Sequence, residues 1–302
     1  GGASPPAARP ERGGQAVAPP LVVVAPKPRR SLLFVPGLRP GLIAKADAAG
    51  PDLVCVDLED AVAPDRKAEA RAATFAALAA GPATRAELLV RVNGLSTPAG
   101  LEDLLALLRA PSPPAGIMVP KTRAAAEIRV LDDIVSAVPA LEHLRLHVII
   151  EANDGLADAQ AIARASRRVA SLLFGAVDMS AELRCANAWE PLLYARARVV
   201  HAAASAGIDV LDVPFLDLAD DEGLAREAAA AAAMGFGGKA AIHPRQLAAI
   251  HAAFTPTAEQ LERARRVVAA YEASESGLVV LDGRLVELPV VRAMYRLLAA
   301  AG

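Results

Sequence analysis

Residues 170–180 read ASLLFGAVDMS: an apolar run, Leu172-Leu173-Phe174, then a glycine, then a lone acid, Asp178. A run of this length ending in a turn reads as a buried strand. A carboxylate at the end of such a strand is costly to desolvate unless something pairs with it. The same construction recurs along the chain, in SLLFVPG (31–37), LVCVDLED (53–60), LLVRVNG (88–94), GIMVPK (116–121), LHVIIEAND (146–154), ASLLFGAVD (170–178), IDVLDVP (208–214) and GKAAIHP (238–244). Ala-rich amphipathic stretches follow the runs, at about 40–49, 65–80, 99–110, 123–136, 155–166, 190–206, 220–234 and 245–253. A spacing of roughly 20–37 residues between runs suits one βα unit each. Eight strands and eight helices within about 225 residues match the count and size of a (β/α)8 TIM barrel. An open doubly wound sheet is the competing architecture. It normally has fewer strands and a glycine-rich phosphate turn after the first, and VPGLRPG (35–41) is not G-x-G-x-x-G.

Composition narrows the function classes. The chain has 302 residues, 54% of them hydrophobic, with a net charge of −2. That balance gives no electrostatic case for nucleic acid or an anionic membrane surface. Two cysteines, Cys55 and Cys185, lie far apart and form neither a disulfide framework nor a zinc spacing, so a cytoplasmic location is the expectation. No apolar run approaches the ~20 residues of a membrane span. Residues 1–28 are rich in Pro, Gly and Ala and read as a disordered tail, and 29–255 as the barrel. Residues 256–302 read as a C-terminal appendage: a helix capped by Thr257, a hairpin turning at Asp282-Gly283, and a last helix over about 290–300. An appendage this small must pack on the barrel or on a neighbouring subunit.

In such a barrel the chemistry sits at the C-terminal ends of the strands. The residues there are Arg39, then Asp57, Glu59 and Asp60, Arg91 and Asn93, Lys121, Glu151, Asp178, Asp212 and His243. Many carboxylates and few histidines at one mouth suit a hard divalent cation such as Mg²⁺. Glu151 and Asp178, on adjacent strands, are the candidate direct ligands, which gives Asp178 a metal ion to face. Arg91 offers a planar fork for a substrate carboxylate, or else an internal ion pair. A metal beside an arginine can hold a 2-oxo or 2-hydroxy acid and polarise its carbonyl. Asp57 reads equally as a rim ion pair or a direct participant, and Asp212 is expected to cap the next helix. Cys55 is expected in the core. Nothing near Cys185 marks it as a nucleophile, and His201 and His251 sit in helical stretches. No Ser-His-Asp order, H-E-x-x-H or P-loop occurs.

Five blocks, RRSLLFVPGLRPGLIAKADAAGPDLVCVDLEDAVAPDRKAEAR, LLVRVNGLSTPAGLEDL, VIIEANDGL, LLFGAVDMSAEL and GFGGKAAIHPRQL, together resemble the citrate lyase β-subunit-like family, related to malyl-CoA lyases. The resemblance runs from Arg29 to the end of the chain. It implies a (β/α)8 barrel that uses Mg²⁺ for reversible carbon–carbon cleavage of CoA thioesters, commonly as a trimer or larger assembly. By this resemblance Glu151 and Asp178 bind the metal and Arg91 the substrate. Glu59 and Asp60 form an acidic pair holding the metal's waters, and Arg39 and Lys45 lie near the CoA phosphates. Glu287, in GLVVLDGRLVELPVV (277–291), takes the place of an Asp that in relatives reaches a neighbouring subunit's mouth and shuttles the α-carbon proton.

The chain departs from the family pattern in three places. Glu287 is one methylene longer than the Asp. Glu151-Ala152-Asn153-Asp154 stands for E-T-A-E, and Leu183-Arg184 for Leu-Gly. The expected activity is Mg²⁺-dependent cleavage of a 3-hydroxyacyl-CoA such as malyl- or citramalyl-CoA. The alternatives are a thioesterase on a similar substrate, a CoA-independent 2-oxo acid aldolase, and a non-catalytic lyase-like subunit.

Overall fold

A computed structural model describes residues 28–274 and 278–299. The expected tail, apart from its last residue, lies outside them. Eight strands, β1 (Ser31–Pro36), β2 (Leu53–Asp57), β3 (Glu87–Arg91), β4 (Gly116–Val119), β5 (Arg145–Ile150), β6 (Val169–Phe174), β7 (Asp209–Asp212) and β8 (Gly238–Ala241), pair in parallel in sequence order. Pairing of β1 with β8 closes the barrel. The helices between strands are α1 (Ile43–Ala48), α2 (Lys67–Ala79), α3 (Pro98–Leu108), α4 (Ala125–Ser136), α5 (Asn153–Ala157), α6 (Ala159–Ala163), α7 (Ala176–Leu183), α8 (Leu193–Ala206) and α9 (Asp221–Met234). After β8 come α10 (Leu247–Phe254), α11 (Ala258–Glu272), the hairpin strands β9 (Val279–Leu281) and β10 (Arg284–Val286), and α12 (Leu288–Ala299).

Strand alternation sorts the side chains into two cores. Leu32, Leu53, Cys55, Leu89, Met118, Ile149, Leu173, Leu211 and Ala240 fill the barrel interior. Their neighbours in sequence, such as Val54, Val56, Val90, Val148 and Leu172, face the helix ring. The interior parity carries Asp57, Arg91 and Glu151 into the mouth, two residues beyond Cys55, Leu89 and Ile149. It carries Glu87, His147, Ser171 and Asp209 into the floor.

The same parity corrects one expectation. Asp212 is one residue past the inward-facing Leu211, so it points outward rather than into the mouth, and it caps no helix. Fully buried, it meets Lys239 Nζ at 2.7 Å and Arg196 Nε at 3.1 Å. The Arg196 guanidinium stacks 4.9 Å from the Phe174 ring and 4.5 Å from the Trp189 ring. The helix cap expected of Asp212 is made by Asp220, whose Oδ1 accepts from Gly223 N at 2.7 Å.

Two further expectations change. The strand read through to Asp178 stops at Phe174, because Ala176-Val177-Asp178-Met179 begins α7. The helix read over 155–166 is two short helices sharing Asp158 as boundary. The appendage follows its reading closely. Thr257 and Gln260 cap α11 reciprocally, and Asp282-Gly283 turns the hairpin. Val267, Val268, Val286 and Val291 make a small apolar cluster that packs α11, the hairpin and α12 on one another.

Candidate active site

The β2 end shapes the acidic rim. Asp57 is buried, and its carboxylate accepts from the backbone N–H of Glu59 (2.8 Å) and Ala61 (3.0 Å). Lys67 at the start of α2 donates to the carbonyls of Leu58 (2.9 Å) and Glu59 (2.6 Å). Asn93 donates from Nδ2 to the Leu58 carbonyl at 3.0 Å and to Asp103 at 2.7 Å, a structural role. The loop bearing Glu59 and Asp60 is thereby fixed from three sides.

Arg91 lies over the Phe34 ring, 5.0 Å from its centroid, and is engaged by three acids. Nε and Nη2 bond the two oxygens of Asp57 at 2.7 and 2.6 Å, and Nη1 lies 3.1 Å from Glu59 and 3.4 Å from Asp60. The internal ion pair left open above is present. Burial opposes the charge, but bidentate Asp57 outweighs it and holds the guanidinium firmly protonated.

The centre of the mouth is held by a residue not assigned a role from sequence. Lys121 Nζ lies 2.7 Å from Asp178 Oδ2, 3.5 Å from Glu151 Oε1 and 3.7 Å from Glu59 Oε1. Its backbone N–H also donates to Glu151 Oε1 at 2.7 Å. Burial works against the ammonium, but Asp178, Glu151 and Glu59 overcome it and raise its pKa. Asp178, read as a buried carboxylate facing a metal, is half-exposed in the first turn of α7 and faces this lysine. Asp178 and Glu151 share this lysine.

Glu59 and Glu151 are both buried. Burial pushes the Glu59 carboxyl up to about 8; Arg91 pulls it down, while Asp60 and Glu151 push it up. Burial also raises Glu151, against the pull of Lys121. Glu59 Oε2, although within ion-pair distance of Arg91, has no hydrogen-bond donor aligned on it. Gly175 leaves room for Glu151: a Cβ there would fall 2.6 Å from the Glu151 Cβ.

A cavity of about 390 Å³ opens beside these groups. Asp57, Asp60, Arg91, Glu151 and Asp178 line one side; Val213, Pro214, Leu216 and Ile242, from the β7 and β8 ends, line another. Among the described residues no three His, Cys, Asp or Glu side chains form a complete metal cage. The oxygen-only donor set, the cation already at its centre and the undonated Glu59 oxygen fit a hard divalent ion held by two carboxylates and completed by water or substrate. The remaining sequence candidates lie apart. Arg39 and Lys45 are exposed on the segment after β1, Glu287 is exposed where α12 begins, and none of them lines the cavity. His243 caps a short 3-10 turn through Arg245 N.

A closed parallel barrel with a charged pocket at its C-terminal mouth is the enzyme architecture expected above. The chain belongs to the HpcH/HpaI aldolase/citrate lyase family, whose model matches residues 30–244. An L-malyl-CoA/beta-methylmalyl-CoA lyase of Cereibacter sphaeroides is 36% identical over 293 residues, covering 88% of this chain and 92% of the relative. A citrate lyase subunit beta of Leuconostoc mesenteroides is 33% identical, covering 90% and 93%. Among solved structures, CitE of Mycobacterium tuberculosis in complex with magnesium, acetoacetate and coenzyme A is 32% identical with a TM-score of 0.76, covering 91% of this chain and 98% of that one. RipC of Yersinia pestis is 41% identical with a TM-score of 0.67, covering 77% and 97%. Among the described residues no helix is long and apolar enough to cross a membrane.

Proposed function

We propose that this protein is a Mg²⁺-dependent carbon–carbon lyase that reversibly cleaves a 3-hydroxyacyl-CoA carrying a distal carboxylate, such as malyl- or citramalyl-CoA. The observation that carries the reading is the cation-centred carboxylate cluster of Glu59, Glu151 and Asp178 beside Arg91 and the cavity. Its support is the kinship with malyl-CoA lyases and with a CitE solved with magnesium and coenzyme A.

Glu151 and Asp178 would hold the ion, with Glu59 and Asp60 on its waters. An ion held there would supply Lewis-acid polarisation of the 2-oxo carbonyl. Arg91, held flat by Asp57, orients the substrate carboxylate. The apolar wall of Val213, Pro214, Leu216 and Ile242 excludes water from the acyl portion. In the cleavage direction the hydroxyl gives its proton to water, its oxygen forms the carbonyl of the 2-oxo acid, and the electron pair of the broken carbon–carbon bond passes to the thioester as an enolate. The resulting enolate takes a proton at its α-carbon through Glu287 of a neighbouring copy in a trimer or a multiple of one. Arg39 and Lys45 meet the CoA phosphates.

The test is product analysis with malyl-, citramalyl- and β-methylmalyl-CoA in the presence of Mg²⁺. The expected products are an acyl-CoA and glyoxylate or pyruvate, with none formed in EDTA. Free CoA plus the hydroxy acid would make the protein a thioesterase, and turnover of free 2-oxo acids without CoA would make it an aldolase.

A further inference from the structure

Lys121 does more in the mouth than an ordinary ion-pair partner. It follows β4 with φ +56°, a left-handed conformation that disfavours any residue with a side chain. That geometry aims both ends of one residue at Glu151, the backbone N–H at 2.7 Å and the ammonium at 3.5 Å. The same ammonium reaches Glu59 and Asp178, so one flexible cation answers three carboxylates from the segments that follow β2, β5 and β6.

Lys239 shows what a structural lysine looks like in this barrel. It is 0% exposed, faces Asp212 and Glu227 at 2.7 and 2.6 Å, and has nowhere to go. The Lys121 side chain is 36% exposed, and its stem lies beside Gly94, where an added Cβ would come only to 3.5 Å. The ammonium can withdraw to solvent without breaking the fold. The group it leaves behind is an oxygen cluster of the kind a hard cation takes.

We propose that Lys121 is a tethered counter-cation: without metal its ammonium bridges Glu59, Glu151 and Asp178, and a divalent ion arriving on Glu151 and Asp178 displaces it. The inference rests on the metal assignment made above. It assigns Lys121 a positioning and competing role. The lysine keeps mutually repelling carboxylates assembled in the metal-free enzyme, and it lowers apparent metal affinity because the competent state must first be vacated.

The experiment is calorimetric titration of the full chain with MgCl₂, with melting temperatures in EDTA and in Mg²⁺, for wild type, Lys121→Met and Lys121→Arg. Lys121→Met is expected to bind Mg²⁺ at least about fivefold more tightly. It should also melt below wild type in EDTA and regain the difference in Mg²⁺, while Lys121→Arg stays near wild type. Affinity in Lys121→Met that is unchanged or weaker overturns the proposal and leaves the metal assignment standing. Absence of Mg²⁺ binding in wild type overturns the metal assignment and this inference with it. Should Lys121→Met not fold, Lys121→Gly removes the same charge at a backbone angle glycine prefers, and the same affinity criterion applies.

Discussion

At the floor of the barrel, Arg29 binds Glu87 at 2.7 Å and Asp209 at 2.8 Å, while His147 bonds Ser171 at 2.8 Å and lies 3.4 Å from Glu87. At the mouth, five carboxylates (Asp57, Glu59, Asp60, Glu151, Asp178) surround two cations, Arg91 and Lys121. Strand alternation places Asp57, Arg91 and Glu151 above one apolar layer and Glu87, His147, Ser171 and Asp209 below it, while Arg29, Glu59, Asp60, Lys121 and Asp178 join from the segments flanking the strands. The floor sets two carboxylates, Glu87 and Asp209, against Arg29, with burial favouring the neutral form of His147, an excess of one negative charge against three at the mouth. The mouth carries an excess of negative charge beside a cavity, with two of its acids pushed toward their neutral forms by burial. The end with the larger excess of carboxylates beside its cavity is the one arranged for a ligand of opposite sign.

Neutralising the mouth should abolish activity without harming the fold. Glu151→Gln and Asp178→Asn are each expected to lower Mg²⁺-dependent kcat/KM by about 10³-fold. Their melting temperatures in EDTA should stay near wild type, since the repulsion each removes from an over-acidic cluster offsets its lost contact with Lys121. Unchanged turnover in both variants would break the comparison at its functional end. The floor should behave oppositely. Arg29→Met strands Glu87 and the half-exposed Asp209, and should cost about 2–3 kcal/mol in urea unfolding, below the fully buried range because water screens Asp209. Its kcat at saturating substrate should remain within twofold or so of wild type.

The floor also sets an acid limit on stability. Burial opposes the Glu87 carboxylate, but His147 and Arg29 outweigh it and lower its pKa from 4.5 to about 2. A carboxyl depressed on folding contributes stability that is complete above 4.5 and disappears as pH falls toward 2. Urea midpoints measured from pH 6 down to pH 3 should therefore fall more steeply in wild type than in Glu87→Gln. Parallel curves would remove Glu87 from the floor's ion balance.

The contrast between the ends was only partly legible in the sequence. Eight apolar runs at βα spacing identified the barrel, because buried parallel strands must be apolar on both faces. Arg91, Glu151 and Asp178 stood out as charges at the ends of those runs. Asp212 misled because it too ends an apolar run; the register that turns it outward depends on where β7 begins, which the run does not mark. The helix after Gly175 went unread because AVDMSAEL is short and continues the apolar character of β6. Lys121 was visible as a strand-end residue, but its central place depends on a positive φ that nothing in VPKTR announces. Arg91's engagement with Asp57 was one of two open readings, since a strand arginine is equally ready to pair inward or to meet a ligand.

Positive φ offers a last and smaller test of which strained residues serve the mouth. Lys121 and Arg184 both sit at φ +56° without being glycine. Arg184 ends α7, the helix carrying Asp178. Its side chain is exposed. A left-handed residue with a Cβ costs about 1–2 kcal/mol, and glycine returns roughly 0.5–1 of that as unfolded-chain entropy. Arg184→Gly should therefore stabilise the protein by about 0.5–1 kcal/mol and leave Mg²⁺ affinity unchanged. Lys121→Gly relieves the same backbone strain yet removes the ammonium from three carboxylates, so in EDTA it should lose stability despite the better backbone. Equal gains in the two glycine variants would mean that the Lys121 conformation is merely tolerated, and that its ion pairs contribute nothing to holding the metal-free mouth together.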